Sequence, residues 1–182
     1  YYVSGDQWHL NNYGQNSGNS GIDINSQSAW ESYDGEGIRI GIIDDGVDYN
    51  NPDLSPNFVS SLSYDYCDDD SNVMPLDSDG DEEIDWHGTA VAGIVSAQGN
   101  NSMGISGVSY NSDLVGIRLI AETCSSAFTT DESEAYALNH RLDEIDIYVN
   151  SWGPADTGNL LGEIGPLALS ALEGVYEVRD GL

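Results

Sequence analysis

Basic residues are nearly absent from this chain of 182 residues, which has 4 lysine and arginine residues in total against 32 aspartate and glutamate residues and a formal net charge of -28. A surface this acidic repels the phosphate backbone of nucleic acids, so we expect no nucleic-acid partner. The same surface suits a salt-rich medium, divalent cations and cationic ligands. Because 39% of the residues are apolar, the chain can still bury a core, and we expect one globular domain over residues 1–182.

Long apolar runs and cysteines are also scarce. No run of about 18 apolar residues is present, which excludes a membrane-spanning helix. The two cysteines, Cys67 and Cys124, fit one disulfide, two free thiols or partners outside the chain. The chain starts at Tyr1 with neither an initiator Met nor a cleavable signal, and its last two residues are typical of a turn that enters another element. We therefore expect a fragment of a longer polypeptide.

From residue 38 onward, short apolar runs alternate with helical segments. The first 35 residues are rich in Gly, Asn and Ser and are predicted to be irregular, and 65–83 is predicted to be a long acidic loop. The alternation predicts an α/β fold with a three-layer, doubly wound, mostly parallel sheet. Buried strands are predicted at 38–43, 113–120 and 145–153, and helices at 88–98, 131–142 and 166–178.

Two adjacent carboxylates, Asp44 and Asp45, directly follow the first predicted strand. Two like charges side by side at a sheet edge cost free energy, so the pair indicates a functional site. In doubly wound sheets, ligands bind at the carboxyl ends of the strands. His87 starts a helix of small residues that can approach the first strand closely, and an Asp beside a His is the orienting half of a nucleophilic triad.

These motifs resemble those of the subtilisin-like serine proteases. The segments "IIDDGVDYNNPDL" (42–54) and "HGTAVAGIVSA" (87–97) match the Asp and His motifs of that family, and "QWHLNN" with "GIDINSQSAW" matches the segment that leads into them. The D-D-G spelling and "YVNSWGPADTG" (148–158) are most similar to the kexin and furin branch, the proprotein-convertase type. The resemblance implies a subtilisin-like fold, incomplete in this chain, with Asp44 as the triad acid and His87 as the general base.

The resemblance also implies a set of substrate-binding residues. Asp45 would contact a basic side chain two residues before the scissile bond, although it could instead cap the strand end. Asp156 would lie at the base of the primary specificity pocket, where a buried carboxylate selects Arg or Lys. Glu134 would read a basic residue more remote from the cut. The segment that pairs with the extended substrate as an added strand would be Ser151, Trp152 and Gly153.

Two calcium sites follow from the same resemblance, both built from the oxygen ligands that this ion prefers. The first comprises Asp53, Asn101 and main-chain carbonyls near Gln98, Met103 and Ile105. The second comprises Asp65, Asp70 and Asn72, with Asn72 in place of an expected acid. Independently, "DSDGDEE" (77–83) looks like half of a calcium loop, and a solvated acidic turn is the other interpretation.

No nucleophile of the family type is found in the chain. The family uses a Ser in a G-T-S motif and an oxyanion Asn in a G-N-G turn, and residues 159–182 resemble neither. We therefore expect the 182-residue chain alone to be inactive. The family's Cys after the catalytic His is also replaced, by Val91.

The implied function is a secreted, monomeric, calcium-dependent serine endopeptidase that cleaves peptides after basic, mainly paired basic, residues. One alternative is a broad-specificity subtilase in which Asp45 and Asp156 bind only calcium or solvent. The other is a pseudoprotease, a calcium-binding module used for adhesion or binding.

Overall fold

A four-stranded parallel sheet forms the centre of the molecule. The structure, a computed structural model, describes residues 5–76, 85–121, 124, 130–154, 158 and 162–179, without the side chains of 16 and 175–179. The strands lie in the order β2-β3-β1-β4, and each neighbouring pair is parallel. Their bounds are β1 Arg39–Asp44, β2 Tyr64–Asp65, β3 Asp113–Arg118 and β4 Ile147–Asn150.

Helices cover both faces of this sheet. The described helices are α1 Ser26–Ala29, α2 His87–Ser96, α3 Asp131–Leu138 and α4 Pro166–Arg179, and a 3₁₀ turn spans Gln15–Ser17. Side chains of a strand alternate between the two faces, so Ile40 and Ile42 pack with Ala92 of α2, whereas Ile43 packs with Ala137 of α3 and with α4. These two cores give the predicted three-layer α/β arrangement.

The structure differs from the sequence-based prediction mainly at element ends. The second predicted helix, observed as α3, ends at Leu138 rather than at residue 142, because Asn139 closes it and Arg141 adopts a φ of 52°. The last predicted strand is shorter and ends at Asn150. The two-residue strand β2 was missed within the acidic segment, because only Tyr64 and Asp65 pair with β3.

The two cysteines form a disulfide. Cys67, in the turn after β2, is bonded to Cys124, in the segment after β3, across a sequence separation of 57 residues. This pairing selects one of the three possibilities that the sequence left open, and it ties together two segments that follow neighbouring strands. Among the described residues, no helix is long and apolar enough to cross a membrane.

Candidate active site

The strand β1 delivers two carboxylates to the carboxyl end of the sheet. Asp44 is the last residue of β1 and lies opposite Arg118 of β3, while Ile43 lies opposite Asn150 of β4. Asp44 is 1% exposed and Asp45 is 8% exposed. Both carboxylates are therefore buried at a position where the strands of a parallel sheet leave a crevice.

Asp45 caps the helix that carries the histidine. The helix α2 has no side-chain cap of its own, because Trp86 at its N-cap offers no acceptor. Instead, the main-chain N–H of His87 donates to Asp45 Oδ2 at 3.0 Å, and that of Gly88 donates to Asp45 Oδ1 at 2.7 Å. A carboxylate at a helix N-terminus also interacts favourably with the helix dipole. The first strand and α2 are thus joined directly by Asp45.

The side chain of His87 faces Asp44. His87 Nδ1 lies 2.8 Å from Asp44 Oδ1, and because an ionised carboxylate only accepts hydrogen bonds, Nδ1 is the protonated nitrogen. Asp44 Oδ1 also accepts from the main-chain N–H of Asp45 at 2.9 Å. The histidine side chain is 56% exposed, so Nε2 remains as the basic nitrogen on the open side of the ring. This is the Asp–His arrangement that the sequence predicted.

The protonation equilibria of the three side chains reflect these contacts. The hydrogen bond to Asp44 raises the pKa of His87 above its ordinary value, because the carboxylate stabilises the imidazolium. The pKa of Asp45 is also raised, mainly by burial and further by the charge of Asp44, although the amides of Gly88 and His87 oppose this shift. The Asp45 charge is therefore only partly compensated, and a cation brought to it would be bound favourably.

Gly88 allows α2 to approach β1 this closely. A Cβ atom added at this position would lie 2.8 Å from Asp44 Cβ and 2.9 Å from Asp45 Oδ1, both shorter than van der Waals contact. The small residue after the histidine is thus needed for the three hydrogen bonds that join α2 to the carboxylate pair.

A groove of about 760 Å³ lies beyond the end of β4. Trp152 forms part of its wall and is held by the bond from its Nε1 to the carbonyl of Ile43, at 2.8 Å. Ser151 and Gly153 flank Trp152 outside any helix or strand, and both are exposed. The described residues that line the groove are Ile120, Glu134, Leu138, Asn150, Trp152, Gly153, Pro154, Gly162, Glu163, Ile164 and Leu172.

Glu134 lies in this groove, as a recognition role for it would require. Burial raises the pKa of its carboxyl, and the nearby charge of Asp131 adds to the effect. Glu163 is a second carboxylate in the lining that sequence reasoning missed, because no motif marked it. Asp156 and the acidic segment 77–83 lie outside the described residues.

The first predicted calcium set is brought together in one place. Asp53 is buried. Its Oδ1 accepts a hydrogen bond from Asn101 Nδ2 at 2.6 Å, and its Oδ2 accepts one from the main-chain N–H of Ile105 at 2.8 Å. The N–H of Gln98 donates to the Asp53 carbonyl at 2.8 Å, and that of Met103 to Asn101 Oδ1 at 3.0 Å. The predicted residues thus lie together, with a carboxylate and an amide oxygen of the kind that calcium prefers. In this structure both carboxylate oxygens of Asp53 and the side-chain oxygen of Asn101 accept hydrogen bonds from N–H groups.

The second predicted calcium set fits less well. Asp65 Oδ2 accepts from Arg118 Nη1 at 2.7 Å, and Asp65 Oδ1 accepts from the main-chain N–H groups of Cys67 and Asp68. Three of the roughly four acceptor positions of this carboxylate are therefore occupied. Asp70 pairs with Asp65 through main-chain bonds, and Asn72 Oδ1 accepts from the hydroxyl of Tyr49. Asp65 and Asp70 are neighbours, but the charge of Asp65 is already neutralised by Arg118, which sequence reasoning missed.

Comparison with known proteins agrees with this geometry. The pattern of the subtilase family matches residues 35–177. The chain is 43% identical over 180 residues to neuroendocrine convertase 2 of Homo sapiens, covering 96% of this chain and 27% of that protein. It is 42% identical over 179 residues to the PC3-like endoprotease variant B of Hydra vulgaris, covering 97% of this chain and 24% of that protein. The chain thus spans about a quarter of the length of these relatives.

Solved structures show the same fold. A serine protease of Aeromonas sobria superposes with a TM-score of 0.77 at 25% identity, over 95% of this chain and 28% of that one. A cold-adapted subtilisin-like serine proteinase superposes with a TM-score of 0.61 at 24% identity, over 93% of this chain and 52% of that one. The sequence motifs, the parallel sheet and these matches together show that the chain belongs to the subtilase family.

Proposed function

We propose that this chain supplies the Asp–His half of the active site of a secreted serine endopeptidase that cleaves on the carboxyl side of basic residues. The observation that carries the proposal is the 2.8 Å contact between His87 Nδ1 and Asp44 Oδ1, with the opposite side of the ring exposed. A histidine held in this tautomer can accept a proton at Nε2.

In the proposed reaction, His87 Nε2 removes the proton of an attacking serine hydroxyl, and the resulting imidazolium is stabilised by Asp44. The protonated His87 then donates its proton to the leaving amine, and water hydrolyses the acyl-enzyme by the same route. The serine and the oxyanion donor would come from sequence outside these 182 residues. The substrate would lie along Ser151, Trp152 and Gly153 as an added strand.

Selectivity for basic residues is proposed from the distribution of carboxylates. Burial destabilises the ionised form of Asp45 and raises the pKa of its carboxyl. Burial also raises the pKa of Glu134, which lines the groove. A lysine or arginine side chain of a substrate would compensate either charge, whereas a neutral side chain would not. Asp156 is proposed to play the same part in the primary pocket. The word endoprotease in the name of one relative supports internal peptide-bond cleavage as the reaction.

Calcium is the proposed cofactor, held by the residues around Asp53. The ion would supply charge that offsets this buried carboxylate and would fix the loop that follows α2. The set at Asp65, Asp70 and Asn72 is a weaker proposal, because Arg118 already occupies the carboxylate of Asp65.

The test of this substrate class uses the polypeptide encoded by the complete reading frame around this chain. Peptides with Lys-Arg or Ala-Arg before the scissile bond are compared in wild type and in Asp45→Asn, a variant that keeps one acceptor for the α2 amides. We expect the wild type to prefer Lys-Arg and Asp45→Asn to lose about 10-fold or more of that preference. An equal preference for Lys-Arg in the two proteins would assign Asp45 to helix capping alone, whereas equal cleavage of both peptides by the wild type would remove the selectivity for a basic residue at this position.

A further inference from the structure

Strand β3 ends in a fully buried arginine. Arg118 is 0% exposed and is one of only four basic residues in the whole sequence. A buried guanidinium is costly unless its charge is paired and its N–H groups have acceptors. The contacts that Arg118 makes therefore need to be explained.

The charge is neutralised by Asp65, the last residue of β2, and by Asp68, in the turn that follows. Arg118 Nη1 donates to Asp65 Oδ2 at 2.7 Å and to Asp68 Oδ2 at 3.0 Å. Asp65 also accepts from the main-chain N–H of Cys67 at 2.7 Å, and Cys67 is bonded to Cys124. The disulfide and the turn thus hold the acidic partners of Arg118 in place.

The third contact of Arg118 reaches the candidate active site. Arg118 Nε donates to the main-chain carbonyl of Asp45 at 3.2 Å, while the N–H of Leu119 donates to the carbonyl of Asp44 at 2.9 Å. The two peptide units that carry the carboxylate pair are therefore both held from β3, one by the main chain and the other by the Arg118 side chain. The chain leaves the sheet at Gly46, whose φ is 146°, so regular strand pairing does not continue past Asp45.

Asp45 connects the Arg118 contact to the Asp44–His87 pair. The N–H of Asp45 donates to Asp44 Oδ1, the same atom that contacts His87 Nδ1. The Asp45 side chain in turn caps the helix that starts at His87. The carbonyl that Arg118 holds belongs to the next peptide unit, between Asp45 and Gly46, so Arg118 acts by fixing the backbone of Asp45 on its C-terminal side. A shift of Asp45 would move both its N–H at the Asp44 carboxylate and its side chain at the start of α2.

We propose that Arg118 is a positioning residue of the active site, which holds the Asp45 carbonyl and thereby sets the Asp44–His87 hydrogen bond. The proposal rests on the proposed function, since it gives this contact a catalytic consequence. Arg118 touches neither substrate nor reacting atoms and is therefore not a catalytic residue. A purely structural ion pair would instead support the fold without influencing His87.

The test is Arg118→Lys in the polypeptide of the complete reading frame, with Arg39→Lys as the matched control. Lysine keeps a positive charge beside Asp65. It has a single nitrogen, however, and cannot hold Asp65 and the Asp45 carbonyl with two donors in a fixed geometry, as Arg118 does with Nη1 and Nε. Arg39 lies at the other end of the same sheet and pairs with Asp113 at 3.5 Å. We expect Arg118→Lys to lower kcat by about 10- to 100-fold with KM within about twofold, since misplacement by about 1 Å has effects of this size. Arg39→Lys should leave both unchanged.

A second readout follows the His87 imidazole by NMR as a function of pH. A loosened hydrogen bond to Asp44 should move the pKa of His87 down in Arg118→Lys and leave it in place in Arg39→Lys. If Arg118→Lys does not fold, the double variant Arg118→Gln with Asp65→Asn, which removes the buried ion pair and the donor to the Asp45 carbonyl together, is measured in the same way. A folded variant with unchanged kcat and an unchanged His87 titration would overturn the positioning role. If no protein cleaves any peptide, the proposed function fails, and the titration still decides whether Arg118 acts on His87.

Discussion

At the scale of single residues, two neighbouring aspartates have different partners. Asp44 accepts from a histidine ring, and Asp45 accepts from two amides at the start of a helix. The sequence showed that the pair needed a reason, and the resemblance to subtilisin-like proteases supplied one for Asp44. For Asp45 the resemblance implies a substrate contact, with a cap of the strand end as the other role. Neither includes the capping of α2 seen in the structure, because a sequence does not show which amides a carboxylate will meet.

The pH dependence of His87 follows from its contact with Asp44. Because the folded-state pKa of His87 is raised, the contact stabilises the fold below the ordinary histidine value, and this stabilisation is lost as the pH rises through the higher folded value. The neutral form of His87, which is the base needed for catalysis, forms as the pH rises through the same raised pKa. Asp44→Asn should return the pKa of His87 toward its ordinary value, measured from the imidazole proton resonances.

His140 provides an internal reference in the same spectra. Burial lowers the pKa of His140, so it should titrate below His87 in wild type and should not respond to Asp44→Asn. If the two histidines titrate together in wild type, or if His87 is unaffected by Asp44→Asn, the hydrogen bond does not exist in solution.

At the scale of elements, the site depends on the approach of α2 to β1. Sequence periodicity predicted both elements, since "IRIGII" is an apolar run and "GTAVAGIVSAQ" is small and apolar at helical spacing. It did not predict β2, which has only two residues, nor the ion pair of Arg118, because the partners Asp65 and Asp68 lie some 50 positions away. Contacts of this kind arise from strand order, which local patterns do not encode.

Gly88→Ala tests the close approach of these two elements. The added Cβ would collide with Asp44 and Asp45, so we expect a loss of about 1 to 3 kcal/mol in the free energy of unfolding and a weaker His87–Asp44 bond. Gly174→Ala, in α4, is the matched control, because nothing lies within 4 Å of its added Cβ; it should gain up to about 1 kcal/mol. Urea unfolding of both variants provides the measurement, and equal effects at the two positions would contradict the role of Gly88.

At the scale of the whole molecule, negative charge greatly exceeds positive charge. Arg39, Arg118 and Arg141 each pair with a carboxylate. Because the sequence has 4 lysine and arginine residues against 32 acidic residues, most of the carboxylates cannot have a lysine or arginine partner. The composition alone predicted this imbalance and its affinity for cations. The arrangement of Asp53 and Asn101 around the loop after α2 was inferred only from the family resemblance.

Chelation of calcium should therefore lower the stability of the protein. If the Asp53 site binds calcium, an ion at about 100 times its dissociation constant adds about 2.7 kcal/mol to the free energy of unfolding. Asp53→Asn should remove most of that increment, whereas Asp143→Asn, at an exposed position, should retain it. Unfolding with calcium or with EDTA measures the difference, and an identical calcium response in the two variants would exclude Asp53 as a ligand.

Cleavage of a Lys-Arg peptide by the polypeptide of the complete reading frame, in wild type and in His87→Ala, tests the proposed function most directly. We expect cleavage after the arginine in wild type and a loss of about 10⁴-fold or more in kcat in the variant, because the proton acceptor is gone. An Ala-Leu peptide serves as the substrate control and should be cleaved poorly. Equal cleavage by both proteins, or no cleavage by a folded, calcium-loaded wild type, would contradict the account and would favour a non-catalytic binding module.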